Sequence, residues 1–166
     1  CNREEAERIL AECAENLDSR RSPKRNAFSE CLVERSDPRT SENAVPRRAL
    51  EDLLSGLHSL GPKIVCITDG PKGAYCYDGH MNEYWFQPPY PDPAPPLSRT
   101  GAGDAFASTF TAAIALGKST REALQWAPIN SAFVVQQVGA QKGLLSREEL
   151  EKYLASAPKD YQSQKI

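Results

Sequence analysis

Thr100-Gly101-Ala102-Gly103-Asp104 runs directly into Ala105-Phe106-Ala107-Ser108-Thr109-Phe110. A turn of small residues hands an aspartate to the start of an apolar helix. Free backbone N–H groups at a helix N-terminus form an anion site, and glycines let a ligand come close. A carboxylate beside such a site repels phosphate. Its chemical use there is as a base that takes a proton from a hydroxyl attacking phosphorus. A plain structural reading stands next to this one, in which Asp104 only caps the helix or complements its dipole. The stretch is not a Walker loop, because G-x-x-x-x-G-K-[ST] occurs nowhere in the chain. Nor is it a G-x-G-x-x-G fingerprint, since Gly103 is followed by Asp104, Ala105 and Phe106.

The rest of the chain alternates between helix and strand patterns. Residues 3–16 read as a helix with Ala6, Ile9, Leu10, Cys13 and Leu17 near helical spacing. Residues 18–45 are rich in Ser, Arg, Asp and Glu and carry Pro23 and Pro38, which predicts a mobile insertion. Its Arg20-Arg21 and Lys24-Arg25 pairs are interleaved with acids, as in a solvated linker. Pro46 opens a helix to about Leu60, with Leu50, Leu53, Leu54 and Leu57 facing a core, and Gly61-Pro62 stops it. Lys63–Thr68 is a nearly continuous apolar strand, the pattern of a strand buried on both faces as in a parallel sheet. After the turn Thr68–Gly73, the segments Ala74–Tyr77 and Asn82–Phe86 form a hairpin across Asp78-Gly79.

Residues 88–98 hold Pro88, Pro89, Pro91, Pro93, Pro95 and Pro96 and read as extended coil leading into the signature turn. The helix that follows ends at Gly117. Ser119-Thr120-Arg121-Glu122 and Ser146-Arg147-Glu148-Glu149 are capping boxes. The first starts a helix to about Gln137, and the second starts a C-terminal helix. The polar tail from Ala157 is expected to fray. Together these elements give an α/β class.

Composition narrows the function classes. The chain has 166 residues, room for one domain with a real core, and a formal net charge of −2. No basic stripe argues for nucleic acid, and no apolar run reaches membrane-spanning length. No signal-peptide pattern opens the chain. Cys1, Cys13, Cys31, Cys66 and Cys76 are scattered and odd in number, with no C-x-x-C pair. Reduced thiols in the cytoplasm fit them better than a disulfide frame or a zinc site. His58, on a helix, and His80, in a turn, lack companions for a triad or metal site. Cys1 stands where an initiator Met would, and a helix begins at once, as inside a longer or processed protein.

Four stretches, in order, resemble motifs of the ribokinase-like (PfkB-type) carbohydrate kinases. Asn2-Arg3-Glu4-Glu5 resembles the family's N-x-x-E. Thr68-Asp69-Gly70-Pro71-Lys72-Gly73 resembles its T-x-G-x-x-G nucleotide turn. Thr100–Phe106 resembles the C-terminal signature, and Val138-Gly139-Ala140-Gln141 resembles the G-A loop near the adenine site. The resemblance covers residues 1–17 and about 60–155.

It implies a Rossmann-like, ribokinase-type fold. This chain would hold the C-terminal part of the sheet-and-helix layers, without the N-terminal substrate part and lid. Residues 1–157 would form the partial kinase domain and 158–166 a polar tail. The implied activity is ATP-dependent phosphoryl transfer to a sugar or nucleoside hydroxyl. Asp104 would be the catalytic base, and Gly101, Ala102 and Gly103 the anion hole. Thr68, Gly70, Lys72, Gly73 and Asn130 would contact nucleotide. Asn2 and Glu5, also readable as a capping box, would hold Mg2+ through water.

The acid that many members place two positions before the signature Thr is Ser98 here, followed by Arg99. The resemblance therefore does not extend to a monovalent cation. The implied partners are ATP and a small sugar or nucleoside, with no nucleic acid and no membrane. A homodimer of a full-length protein is compatible with it, as is self-association through an exposed sheet edge. Two alternatives share these motifs: a nucleotide-binding relative without kinase activity, and the kinase half of a bifunctional sugar kinase/nucleotidyltransferase.

Overall fold

The computed structural model describes residues 1–18 and 47–166. The insertion expected over 18–45, with its basic pairs, otherwise lies outside the described residues. Helix α1 spans Arg3–Asp18 and α2 spans Arg47–Ser59. Strand β1 (Ile64–Thr68) leads through a 3-10 turn at Gly70–Lys72 into β2 (Ala74–Asp78) and then β3 (Glu83–Gln87). Helix α3 (Ala102–Ala115), α4 (Thr120–Val134) and α5 (Arg147–Ala155) follow, and the short β4 (Gln164–Lys165) ends the chain.

The four strands among the described residues form one sheet in the order β1-β2-β3-β4, with all three of its ladders antiparallel. The parallel arrangement expected for β1 is therefore corrected. A connection as short as Asp69–Gly73 can only return the chain antiparallel, because a parallel neighbour needs a long crossover. A parallel pairing does occur at the isolated bridge from Asn2 to Thr68, on the outer edge of β1. There the Thr68 amide donates to the Cys1 carbonyl at 3.2 Å.

The other half of that expectation holds, since β1 is covered on both faces. Val65 and Ile67 pack with Leu10, Leu50, Leu54 and Leu57 of α1 and α2. Ile64 and Cys66 face the opposite core, built on Phe106, Phe110, Leu124 and Ile129 of α3 and α4. Alternate side chains thus enter two apolar layers, which is why the strand reads as a continuous apolar run. Leu54 is fully buried in the first layer. Truncating such a leucine costs about 2–5 kcal/mol.

The local signals match the observed boundaries within a few residues. Both serine capping boxes form, with Ser119 accepting from the Glu122 amide and Ser146 from the Glu149 amide. The hairpin turn places Asn82 at φ 53°, with its Oδ1 accepting from the Tyr77 hydroxyl at 2.9 Å. His58 is structural: its Nδ1 lies 2.8 Å from the Pro62 carbonyl and its ring meets Tyr77 edge-on.

The C-terminal tail differs from its expectation. It docks instead of fraying. Tyr161 is buried and donates to the Gln125 carbonyl at 2.7 Å. Ser163 donates to buried Gln87 at 2.5 Å, and β4 adds to the edge of β3. Two buried side chains anchor a segment that is otherwise polar, and composition alone missed them.

Candidate functional site

Two glycine turns meet at one end of the sheet. In the first, Asp69–Gly73 closes with the Asp69 amide donating to the Gly73 carbonyl at 2.8 Å and the Gly73 amide to the Gly70 carbonyl at 3.1 Å. Gly73 has φ 99°, and a Cβ there would lie 2.4 Å from the Gln87 carbonyl oxygen. Both facts demand glycine. Gly70 faces open space. Arg3 of α1 reaches Asp69 at 3.9 Å and so ties the helix to the turn.

In the second turn Gly101 is the N-cap of α3, at φ 86°. A Cβ on it would sit 2.7 Å from the Cα and carbonyl oxygen of Ala140. The Gly139-Ala140 loop therefore packs directly on the signature turn. The Ala105 amide closes the first helical bond to the Gly101 carbonyl at 2.8 Å. The amides of Gly103 and Asp104 lie in the first turn, where the helix itself offers no acceptor. Ser131 of α4 donates to the Ala102 carbonyl at 2.8 Å and fixes α4 against this end of α3.

Gly103 differs from Gly101 and Gly73. Its φ is not positive, and a Cβ there would meet nothing within 4 Å. Glycine inside a helix is about 0.5–1 kcal/mol worse than alanine. Neither the backbone nor the packing of this chain accounts for the choice.

Two clefts open on either side of Gly103. The larger, about 720 Å3, is bounded by Thr68, Gly70 and Gly73 of the first turn, Ala102 of the second, and Ser131 of α4. The smaller, about 560 Å3, is lined by Asn2, Glu5, Cys66, Asp104 and the flank of α3. Asn2, Thr68, Gly103 and Phe106 belong to both. Asp104 is exposed on the wall of the smaller cleft, with no hydrogen bond or ion pair among the described residues.

The structure therefore brings together Asn2, Glu5, Thr68, Gly70, Gly73, Gly101–Gly103 and Asp104. Asn2 and Glu5 form the reciprocal capping box, the Asn2 amide donating to Glu5 Oε2 at 2.8 Å and the Glu5 amide to Asn2 Oδ1 at 2.9 Å. Glu5 Oε1 has no protein partner among the described residues. No cluster of three or more His, Cys, Asp or Glu is placed to hold a metal among those residues.

Two expected residues sit apart. Lys72 is exposed and lines neither cleft. Asn130 is buried, donating to Thr109 Oγ1 at 2.8 Å and accepting from the Leu145 amide at 2.9 Å. Its amide braces α3, α4 and the segment before α5 from behind the cleft.

Sequence reasoning missed part of the larger cleft. Tyr90, Pro91 and Asp92 of the proline-rich segment form one wall, and Arg99 reaches it from the signature. That segment is anchored, with the Leu97 amide donating to the Val135 carbonyl at 2.8 Å and Gln136 to the Ala94 carbonyl at 2.8 Å. Its position next to the signature was the available signal.

The layered architecture is that of the ribokinase-like α/β proteins. Ribokinase of Arabidopsis thaliana, solved with ribose and ATP, superposes with a TM-score of 0.59 at 28% identity. That match covers 66% of this chain and 34% of the other. Residues 37–147 match the pfkB family carbohydrate kinases, and the chain belongs to that family. The match leaves out residues 1–17, which carry Asn2 and Glu5, and it begins inside the segment expected as an insertion. Among relatives, ribokinase of Bacillus subtilis is 35% identical over 102 residues, covering 61% of this chain and 33% of that protein. Cytidine kinase of Thermococcus kodakarensis is 37% identical over 76 residues, covering 46% and 27%. The chain thus spans about a third of the length of the curated relatives it matches.

Proposed function

We propose that this chain supplies the phosphate-binding and proton-abstracting side of an ATP-dependent kinase acting on a sugar or nucleoside hydroxyl. One observation carries the reading. A helical glycine with no structural reason to be glycine, Gly103, sits at the divide between two clefts and next to an unpartnered carboxylate, Asp104. A phosphoryl group approaching the backbone supplies the missing reason, because a Cβ there would stand between the ligand and the amides.

The roles follow from position. ATP lies in the larger cleft, with its phosphates over Thr68, Gly70 and Gly73. The γ-phosphoryl group reaches the Gly101–Gly103 turn, where the Gly101 and Gly103 amides meet the charge that develops during transfer. The Ala102 amide donates to the Arg99 carbonyl at 3.4 Å and must turn from it to join them. Asp104 faces the smaller cleft, where it takes the proton of the acceptor hydroxyl. Arg99 lines the ATP cleft with no side-chain partner among the described residues and adds positive charge at the phosphates. Lys72, exposed on the first turn, adds charge only at its outer rim. Asn130 serves the nucleotide by holding α4 in place.

Mg2+ travels with ATP as part of the substrate and keeps several of its waters. Glu5 Oε1 and the Asn2 side chain are the groups here that would meet those waters. The names of the relatives point to ribose or cytidine as the type of acceptor.

The test is calorimetric titration of MgATP into the chain, followed by coupled ADP assays with ribose and cytidine on a longer protein containing it. Saturable binding that Gly103→Val abolishes, with acceptor-dependent ADP release, is expected. No MgATP binding would reject the site. Binding without turnover in the longer protein would favour a non-catalytic nucleotide-binding relative.

A further inference from the structure

Cys66 and Cys76 are ten positions apart in sequence but directly opposite each other on β1 and β2. Their sulfurs lie 3.1 Å apart. The register explains the closeness. The Gly79 amide bonds the Lys63 carbonyl and the Asp69 amide bonds the Gly73 carbonyl, so the 63/79 and 69/73 pairs are the hydrogen-bonded ones. Alternation along an antiparallel ladder then makes 66/76 a non-hydrogen-bonded pair. Such pairs bring Cα atoms to about 4.5 Å with the side chains on one face. That separation falls just inside the disulfide range of about 4.4–6.8 Å.

The two thiols differ in access. Cys66 is half-buried and lines the smaller cleft, whereas Cys76 is fully buried beneath it. The hydrogen bond with Cys66, together with burial, pushes the Cys76 thiol well above its ordinary range. Cys76 is thus held as a neutral thiol next to one that a small molecule can reach.

We infer that Cys66 and Cys76 form a reversible redox modification site, a cross-strand dithiol that a hydroperoxide entering the smaller cleft converts to a disulfide. The Cys66 sulfur loses its thiol proton and attacks the peroxide, forming an S–O bond and breaking the O–O bond, and the leaving hydroxide takes that proton as water. The Cys76 sulfur then attacks the sulfenic sulfur as its own proton is released. An S–S bond forms, the S–O bond breaks, and the departing hydroxide takes the Cys76 proton as a second water. In total, two thiols and one hydrogen peroxide give one disulfide and two waters. A thiol reductant reverses the step by exchange. The short Cα separation lies at the edge of disulfide geometry, which favours reduction. The loop closed by the bond contains the whole Thr68–Gly73 turn, so the modification fastens the two strands that carry it.

The experiment treats the reduced chain with hydrogen peroxide, removes the peroxide, unfolds the chain in guanidinium with iodoacetamide so that buried Cys76 is also alkylated if free, and maps the products by mass spectrometry. A Cys1→Ser, Cys13→Ser, Cys31→Ser background removes the other thiols. The expected result is simultaneous loss of both alkylatable thiols, a mass lower by two hydrogens, and full recovery with dithiothreitol. Phenylarsine oxide, which bridges paired thiols, should bind the reduced chain in one equivalent and block the oxidation. Cys66→Ser and Cys76→Ser should each abolish both behaviours. The wild-type mapping stands even if a variant fails to fold. Accumulation of Cys66 sulfinic acid with Cys76 still alkylatable would overturn the proposal, as would both thiols remaining free.

Discussion

The two glycine turns look alike in sequence and differ in what their glycines do. In the first turn Gly70 (φ 52°) and Gly73 (φ 99°) both need a left-handed backbone and both line the larger cleft. In the second only Gly101, packed against Ala140, is left-handed, and Gly103 faces the clefts with an ordinary backbone. The first turn is a 3-10 loop between strands, while the second opens a fourteen-residue helix and carries an acid in its first turn. A loop can only cradle an anion. A helix N-terminus with an adjacent carboxylate can also move a proton beside it. The second turn is therefore the reacting side of the proposed site, and the first is the holding side.

Asp104→Asn gives the largest expected effect. In a kinase assay on the longer protein it should lower turnover by about 10²–10⁴-fold, roughly 3–5 kcal/mol, while MgATP affinity stays close to wild type. Near wild-type turnover would remove the distinction between the two turns.

Gly101→Ala comes next and acts on folding. Its left-handed backbone and the 2.7 Å approach to Ala140 should cost at least about 1–3 kcal/mol, read as a lower urea midpoint. Gly73→Ala should behave in the same way. A harmless substitution at both would show that the close approaches relax.

Gly103→Ala should do the reverse. Stability should rise by up to about 0.5–1 kcal/mol. MgATP binding should weaken by about tenfold, near 1.4 kcal/mol. Unchanged affinity together with higher stability would leave Gly103 without a ligand to explain it.

The smallest effect concerns acid. The Ser119 hydroxyl and amide hold the Glu122 carboxyl below the usual carboxylate range. The Ser146 amide and hydroxyl do the same for Glu149. A folded-state value below the unfolded one stabilises above the unfolded pKa and is lost as pH falls through the folded value. Urea midpoints should therefore drop modestly between pH 7 and about pH 3, and Ser119→Ala should shrink the difference. An unchanged pH dependence in that variant would locate the acid sensitivity elsewhere.

Much of the proposed site was legible because its pieces are local. The Thr68–Gly73 and Thr100–Asp104 turns are short runs whose residues need each other only within a few positions. Arg99 and the Tyr90–Asp92 wall were legible only as neighbours of the signature, since nothing in a proline-rich coil says which surface it covers. Asn130 read as a nucleotide contact, but its partners, Thr109 and Leu145, lie 21 and 15 positions away. No spacing rule links them.

The helix starts, the hairpin, the two turns and the continuous apolar strand were all written in short stretches of residues. These follow from capping hydrogen bonds, backbone sterics and alternation along a strand, all of which act over a few residues. The antiparallel pairing of the described ladders and the docking of the polar tail through Tyr161 and Ser163 came from the packed fold. It alone set Ala140 on Gly101 and Cys66 opposite Cys76. Each of those depends on which distant surfaces bury one another, and burial is settled by the whole packed chain.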